Sequence, residues 1–170
     1  IAGHSLGSLV ALQSAARHAN RVRGIALVGT TAPMPVSDAI LDAAKANDHA
    51  AFDMLTQWGY SKRHLYGGNR NSGIWMVGNT LRLYERSGPG VLYNDMNACN
   101  NYTTGLERAP EVMCKTVMIL GEEDRLTPTR GTGALQQALV NAEVVVLPGA
   151  GHTIMVEEPN ALLDALHKVL

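Results

Sequence analysis

Cysteine is nearly absent from this chain. Its 170 residues include two, Cys99 and Cys114. Two cysteines make no disulfide framework, and neither has the spacing of a zinc site. The expectation is a reducing, cytoplasmic compartment with both thiols structural. Neither sign of charge prevails: the formal net charge is −1, and no run of Lys and Arg occurs. That argues against nucleic acid or an anionic membrane as a partner. No stretch approaches the roughly 18 consecutive apolar residues of a transmembrane helix. Internal repeats and low-complexity tracts are also missing. So is an initiating Met, because the chain starts at Ile1. Only Ile1 and Ala2 precede the first motif, so the chain is expected to be the C-terminal part of a longer protein.

What is present fits one globular domain. Hydrophobic residues make up 46% and charged residues 17%, enough apolar surface for a core at this length. Three short apolar runs predict buried parallel strands: Gly24–Gly29, Thr116–Gly121 and Glu143–Leu147. A helical pattern from about Thr129 to Val140 joins the last two into a βαβ unit. Ser8–Ala19 predicts a helix with Leu9, Leu12 and Ala16 inward. Pro159–Leu170 predicts a closing helix with Pro159 in its first turn and a stripe of Leu162, Leu163, Leu166, Val169 and Leu170.

The stretch 33–110 is too long for a loop. It holds both tryptophans, the one Phe and all five tyrosines. Helical patterns fall at about Ser37–Asn47, His49–Gly59, Gly73–Ser87 and Gly90–Cys99, with an exposed loop or hinge at Gly67–Gly73. The expected organisation is a core of residues 1–32 and 111–170 with a helical cap, 33–110, inserted over the carboxyl ends of the strands.

Three motifs carry chemistry. Gly3-His4-Ser5-Leu6-Gly7 is a G-x-S-x-G nucleophile elbow, a sharp strand-to-helix turn that holds a serine hydroxyl clear of the backbone. Gly3 and Gly7 are expected where a Cβ would clash. Asp124 follows in Gly121-Glu122-Glu123-Asp124, and His152 in Gly149-Ala150-Gly151-His152. A serine is a poor nucleophile at neutral pH without a base and a group that orients that base. Ser5, His152 and Asp124 supply one of each, all just after strands, whose carboxyl ends face one crevice in an open α/β sheet. The backbone N–H of Leu6 would form half of an oxyanion hole, its second donor lying on a loop outside this chain. Glu122 and Glu123 compete with Asp124 as a solvated acidic turn. Among the other histidines, His4 would pack or line the pocket wall, while His18, His49, His64 and His167 read as surface residues. Trp58, Tyr60, Trp75, Met76 and Tyr84 are candidates for an apolar pocket or for the cap's own core. Met155, just past His152, is a candidate substrate contact. Trp58, Trp75, His4 and Met155 form the expected substrate-binding set.

These three motifs, with Arg125-Leu126-Thr127-Pro128 completing the second, resemble the α/β-hydrolase superfamily over essentially the whole chain. The resemblance implies a mostly parallel sheet flanked by helices, lacking the N-terminal strands. It favours Asp124 over its neighbours as the acid. It implies a serine hydrolase acting on a small or medium apolar ester-like substrate, or a related C–C hydrolase or haloperoxidase-like enzyme, with no metal or organic cofactor. Serine at the elbow argues against the branches that use aspartate. A ligand-binding protein with little turnover shares the same residues. So does an inactive fragment that needs its N-terminal half, or a homo-oligomer.

Overall fold

The computed structural model describes residues 1–68 and 73–169. Four strands, β1 (Ala2–His4), β2 (Gly24–Val28), β3 (Lys115–Gly121) and β4 (Ala142–Leu147), form one parallel sheet in that order. Val28 stands opposite both His4 and Ile119, and Gly121 opposite Leu147, so the four carboxyl ends lie at one edge of the sheet.

Both faces of the sheet are covered at β2 and β3, which is why those strands read as continuous apolar runs, whereas β4 at the edge leaves Glu143 and Val146 exposed. Ile25, Leu27 and Met118 point to one face, into a cluster with Leu9, Leu12 and Leu135. Ala26, Val28, Val117 and Ile119 point to the other, against Leu147, Ile154 and Ala165. Helix α1 (Leu6–Arg17) covers the first face and starts immediately after Ser5.

Between β2 and β3 the described residues are helical and contain no strand: α2 (Asp38–Lys45), α3 (Ala50–Gly59), α4 (Lys62–Leu65), α5 (Met76–Glu85), α6 (Val91–Asn101) and α7 (Gly105–Arg108). Part of this segment has its own interior. Tyr60 is fully buried, its hydroxyl bonded to Met76 O and Thr80 Oγ1, and Phe52 stacks on Tyr84. Gly67 and Gly73, the ends of the expected loop, have positive φ; residues 69–72 between them lie outside the described residues.

Two expected helices are shorter than their patterns. Thr129–Val140 divides into a 3-10 turn (Thr129–Gly131) and α8 (Gly133–Ala138). Two glycines this close weaken a helix, and Thr132 Oγ1 donates to Thr129 O, offering the backbone a local alternative. After α9 (Ile154–Glu157), the closing helix α10 (Pro159–Leu166) gives way to a 3-10 turn at His167–Val169. Leu170 lies outside the described residues. Leu162, Leu166 and Val169 pack on the core as expected, but Leu163 is 53% exposed and Ala165 takes the buried position.

Replacing Leu12, which is fully buried, by Ala is expected to destabilise the fold by about 2–5 kcal/mol. Leu163→Ala is expected to cost about 0.5 kcal/mol or less. Urea unfolding of the two variants checks the assignment of the inner face.

Candidate active site

The elbow is built as its sequence requires. Ser5 joins β1 to α1 with φ 52° and ψ −121°, outside the regions that L-residues favour. Such a residue costs about 1–3 kcal/mol and persists only where its surroundings over-determine it. They do so here. Ser5 N–H donates to Val28 O at 2.9 Å, and its carbonyl accepts from Ser8 N (2.8 Å) and Ser8 Oγ (2.6 Å). Ser8 is buried and its hydroxyl also reaches Thr30 Oγ1 at 2.7 Å. A Cβ on Gly3 would lie 2.0 Å from Gly7 O, a backbone clash that keeps this position glycine. Gly7 differs from expectation: a Cβ there would meet nothing within 4 Å. Of the two glycines, Gly3 is the one at which strand and helix approach too closely for a Cβ. Leu6 opens α1, so its N–H has no acceptor within the helix and is free to receive an anion.

Asp124 and His152 are both buried and bonded to each other, Oδ2 to Nδ1 at 2.8 Å. The carboxylate is held by further donors. Oδ1 accepts from the N–H groups of Leu126 (2.9 Å) and Thr127 (2.8 Å), and Oδ2 accepts from Thr127 Oγ1 (2.7 Å). Burial pushes the Asp124 pKa up. The His152 bond and charge, with the Thr127 donors, outweigh it and hold the carboxyl below the ordinary carboxylate value. An ionised Asp124 accepts from Nδ1–H of His152, which fixes the tautomer and leaves Nε2 as the basic nitrogen. Thr127, within the Gly121–Pro128 motif, is a further member of the site that the motif alone does not single out. Its signal is the Asp-x-x-Thr spacing, which lets an aspartate cap its own following turn. Glu122 and Glu123 are exposed and accept from Gly149 N and Lys62 N.

Two glycines bring the histidine in. A Cβ on Gly121 would fall 2.0 Å from Gly151 O, and one on Gly29 (φ 54°) 3.0 Å from His152 Nδ1. His4 also packs here: its Nε2–H donates to His152 O at 2.9 Å, and the two imidazoles lie 4.5 Å apart. Burial and the adjacent His152 lower the His4 pKa to about 4, so it is a neutral donor at pH 7.

Ser5, Leu6, His4, Thr127 and His152 line one cleft of about 370 Å³. Its remaining wall is largely apolar and comes mostly from the helical segment, including Met34, Ile40, Leu55, Trp58, Tyr84 and Met96. Of the expected substrate-binding residues, Trp58 and His4 line the cleft. Trp75 and Met155 are not among its lining residues. Trp75 is 67% exposed, its ring lying over Gly78 on the outer surface of α5. Met155 is 38% exposed, because the turn of α9 sends its neighbour Ile154 inward instead. Cys99 lines the cleft, with burial pushing its thiol up to about 11. Arg125 joins the two parts of the chain, its guanidinium donating to Gln57 O and Tyr60 O.

One histidine differs from expectation. His64 is not a surface residue: its side chain is wholly buried beside that of Glu157, with Nδ1 and Oε2 2.9 Å apart. Nothing in the local sequence Ser61–His64 marks a partner nearly a hundred residues away. Among the described residues no group of three or more His, Cys, Asp or Glu could hold a metal ion, and no helix is long and apolar enough to cross a membrane.

A serine on a strained strand-to-helix turn, beside a buried Asp–His pair at the carboxyl ends of a parallel sheet, is the arrangement of one large enzyme superfamily. The chain belongs to the alpha/beta hydrolase family, which it matches over residues 1–165. It is similar to the solved structure of a thermophilic esterase, at 29% identity and a TM-score of 0.81, covering 98% of this chain and 63% of that one. An enol-lactonase from Burkholderia xenovorans shares 19% identity with a TM-score of 0.81, over 99% of this chain and 64% of that one. An esterase from Exiguobacterium antarcticum shares 15% identity with a TM-score of 0.82, over 98% and 64%. At these identities the last two attest the fold alone. The chain thus spans a little under two thirds of the length of these relatives. No curated protein matches it.

The depressed His4 pKa sets a pH window. The unfolded chain takes up a proton at His4 near 6.5, whereas the folded chain does so near 4. Stability from this group is therefore complete above pH 6.5 and is lost as pH falls towards 4, by at most about 1.4 kcal/mol per pH unit. The Asp124 contribution is present above 3.8 and is lost only at lower pH. Thermal melts are expected to flatten between pH 6.5 and 4 in His4→Gln, whose amide can still donate to His152 O.

Proposed function

We propose that Ser5, His152 and Asp124 are the triad of a serine hydrolase that cleaves small or medium, largely apolar ester-like substrates. The observation that carries this is the buried Asp124–His152 bond, reinforced by Thr127, at the cleft where Ser5 stands on its strained elbow. His152 Nε2 takes the Ser5 proton as the oxygen attacks the acyl carbon. The Leu6 N–H receives the developing oxyanion, and the imidazolium returns the proton to the leaving alcohol. A water deprotonated by His152 then releases the acid from the acyl-enzyme. Asp124 stays ionised throughout and stabilises the imidazolium.

The cleft supports this substrate class. A volume of about 370 Å³ suits a small or medium ligand, and walls such as Ile40, Leu55 and Trp58 suit an apolar acyl or alkyl group. Similarity to a thermophilic esterase, at 29% identity, supports acyl chemistry. In this scheme residues 33–110 act as a cap over a core of 1–32 and 111–170, and no cofactor takes part.

A fluorophosphonate probe is expected to label Ser5, as mapped by mass spectrometry. Ser5→Ala should abolish labelling, and Asp124→Asn should slow it by orders of magnitude, about 10⁴-fold in a Ser-His-Asp enzyme. A folded chain that takes no label, or takes it at another serine, would overturn the assignment.

A further inference from the structure

Glu157 is the most deeply buried carboxylate among the described residues, and the proposed chemistry does not use it. Its side chain is wholly inaccessible. Oε2 accepts from Gly151 N at 2.9 Å and Ser61 N at 3.1 Å, and Oε1 accepts from Thr153 N at 3.1 Å. His64 Nδ1 lies 2.9 Å from Oε2. Gly151 and Thr153 flank His152. The N–H between them, that of His152 itself, donates to Gly59 O at 2.7 Å. Every backbone donor of the turn that presents the imidazole is thus tied to Glu157 or to residue 59.

The segment 59–64 meets this turn at several points: Gly59 through its carbonyl, Ser61 through its N–H, His64 through its ring. The packing leaves no slack, since a Cβ on Gly151 would fall 2.5 Å from Ser61 N. Ser61, His64 and Glu157 also resemble a second Ser-His-acid set, but the geometry excludes that role. Ser61 Oγ lies 2.7 Å from the same Nδ1 that faces Glu157, whereas a catalytic histidine needs its two partners on opposite nitrogens. The other nitrogen, Nε2, is buried without a hydrogen-bond partner. A carboxylate out of water is costly unless donors surround it, and breaking such a set leaves an uncompensated charge.

We propose that Glu157, held by His64, is a positioning group: it anchors the 151–153 turn to the 59–64 segment and so sets where the His152 imidazole stands relative to Asp124 and Ser5. The inference rests on the assignment of His152 as general base. Small displacements of a catalytic group carry large penalties, up to about 100-fold for 1 Å.

The test uses Glu157→Gln and His64→Leu in the whole chain, with circular dichroism as the check of folding. Two quantities are read: the NMR resonance of the His152 Nδ1 proton, and the rate and pH midpoint of fluorophosphonate labelling at Ser5. In folded variants the resonance is expected to shift or broaden and the labelling rate to fall, on the order of 10-fold or more for Glu157→Gln. The midpoint should move, which a general loss of stability would not produce. A folded variant with an unchanged resonance, rate and midpoint would overturn the proposal. If Glu157→Gln does not fold, His64→Leu decides by the same readouts. If the parent chain takes no label, the Ser5 assignment fails, and the His152 resonance alone decides whether Glu157 positions it.

Discussion

Parallel pairing with both faces covered is the constraint on which the rest of this molecule depends. A register that sets Val28 against His4 and Ile119, and Gly121 against Leu147, brings four strand ends to one edge. Whatever follows those strands must meet there. Ser5 follows β1, Gly29 follows β2, Asp124 follows β3 and His152 follows β4. The meeting is close enough to demand glycine where backbones touch. Gly121 faces the Gly151 carbonyl and Gly29 faces the His152 ring, so neither a bulkier strand end nor a wider histidine turn would fit.

Two buried acid–histidine pairs lie side by side in this region, and they differ in how they are completed. Asp124 faces His152 at the wall of the cleft, with Thr127 and two backbone donors filling its remaining lone pairs. Glu157 faces His64 with no access to solvent, and its other contacts are backbone N–H groups. The first pair lies at the cleft that Ser5 also lines, and its contacts to Asp124 and Thr127 are on Nδ1. The second has its contacts gathered on one nitrogen, an arrangement suited to holding backbone in place. Low dielectric strengthens both pairs and makes each intolerant of losing a partner. His4 adds a third, neutral imidazole that grips the backbone of His152 rather than competing for its proton.

Much of this was legible in one dimension. Strands β2 and β3 are recognisable because burial on both faces leaves uninterrupted apolar runs, and the observed bounds of β2, β3 and β4 differ from the expected ones by a residue. The elbow, Asp124 and His152 stand out because each occupies a turn with characteristic glycines. The helix expected at Thr129–Val140 was cut short because Gly131 and Gly133 outweigh its periodicity. Trp75 and Met155 were placed near the cleft on residue type and proximity in sequence. Their directions depend on helix phase at α5 and α9, which short elements do not reveal.

By itself the sequence determined the strand set, the elbow and the order of serine, acid and histidine, since these follow from local rules: apolar runs, turn glycines and short motifs. Tertiary structure alone decided that Thr127 completes the Asp124 shell, that His64 is buried against Glu157, that His4 grips the His152 carbonyl, and which aromatics face the cleft. Each of those depends on contacts between segments distant in the chain or on the phase of a short helix. A polar residue has the same letter whether it meets water or a buried carboxylate, and only packing distinguishes the two.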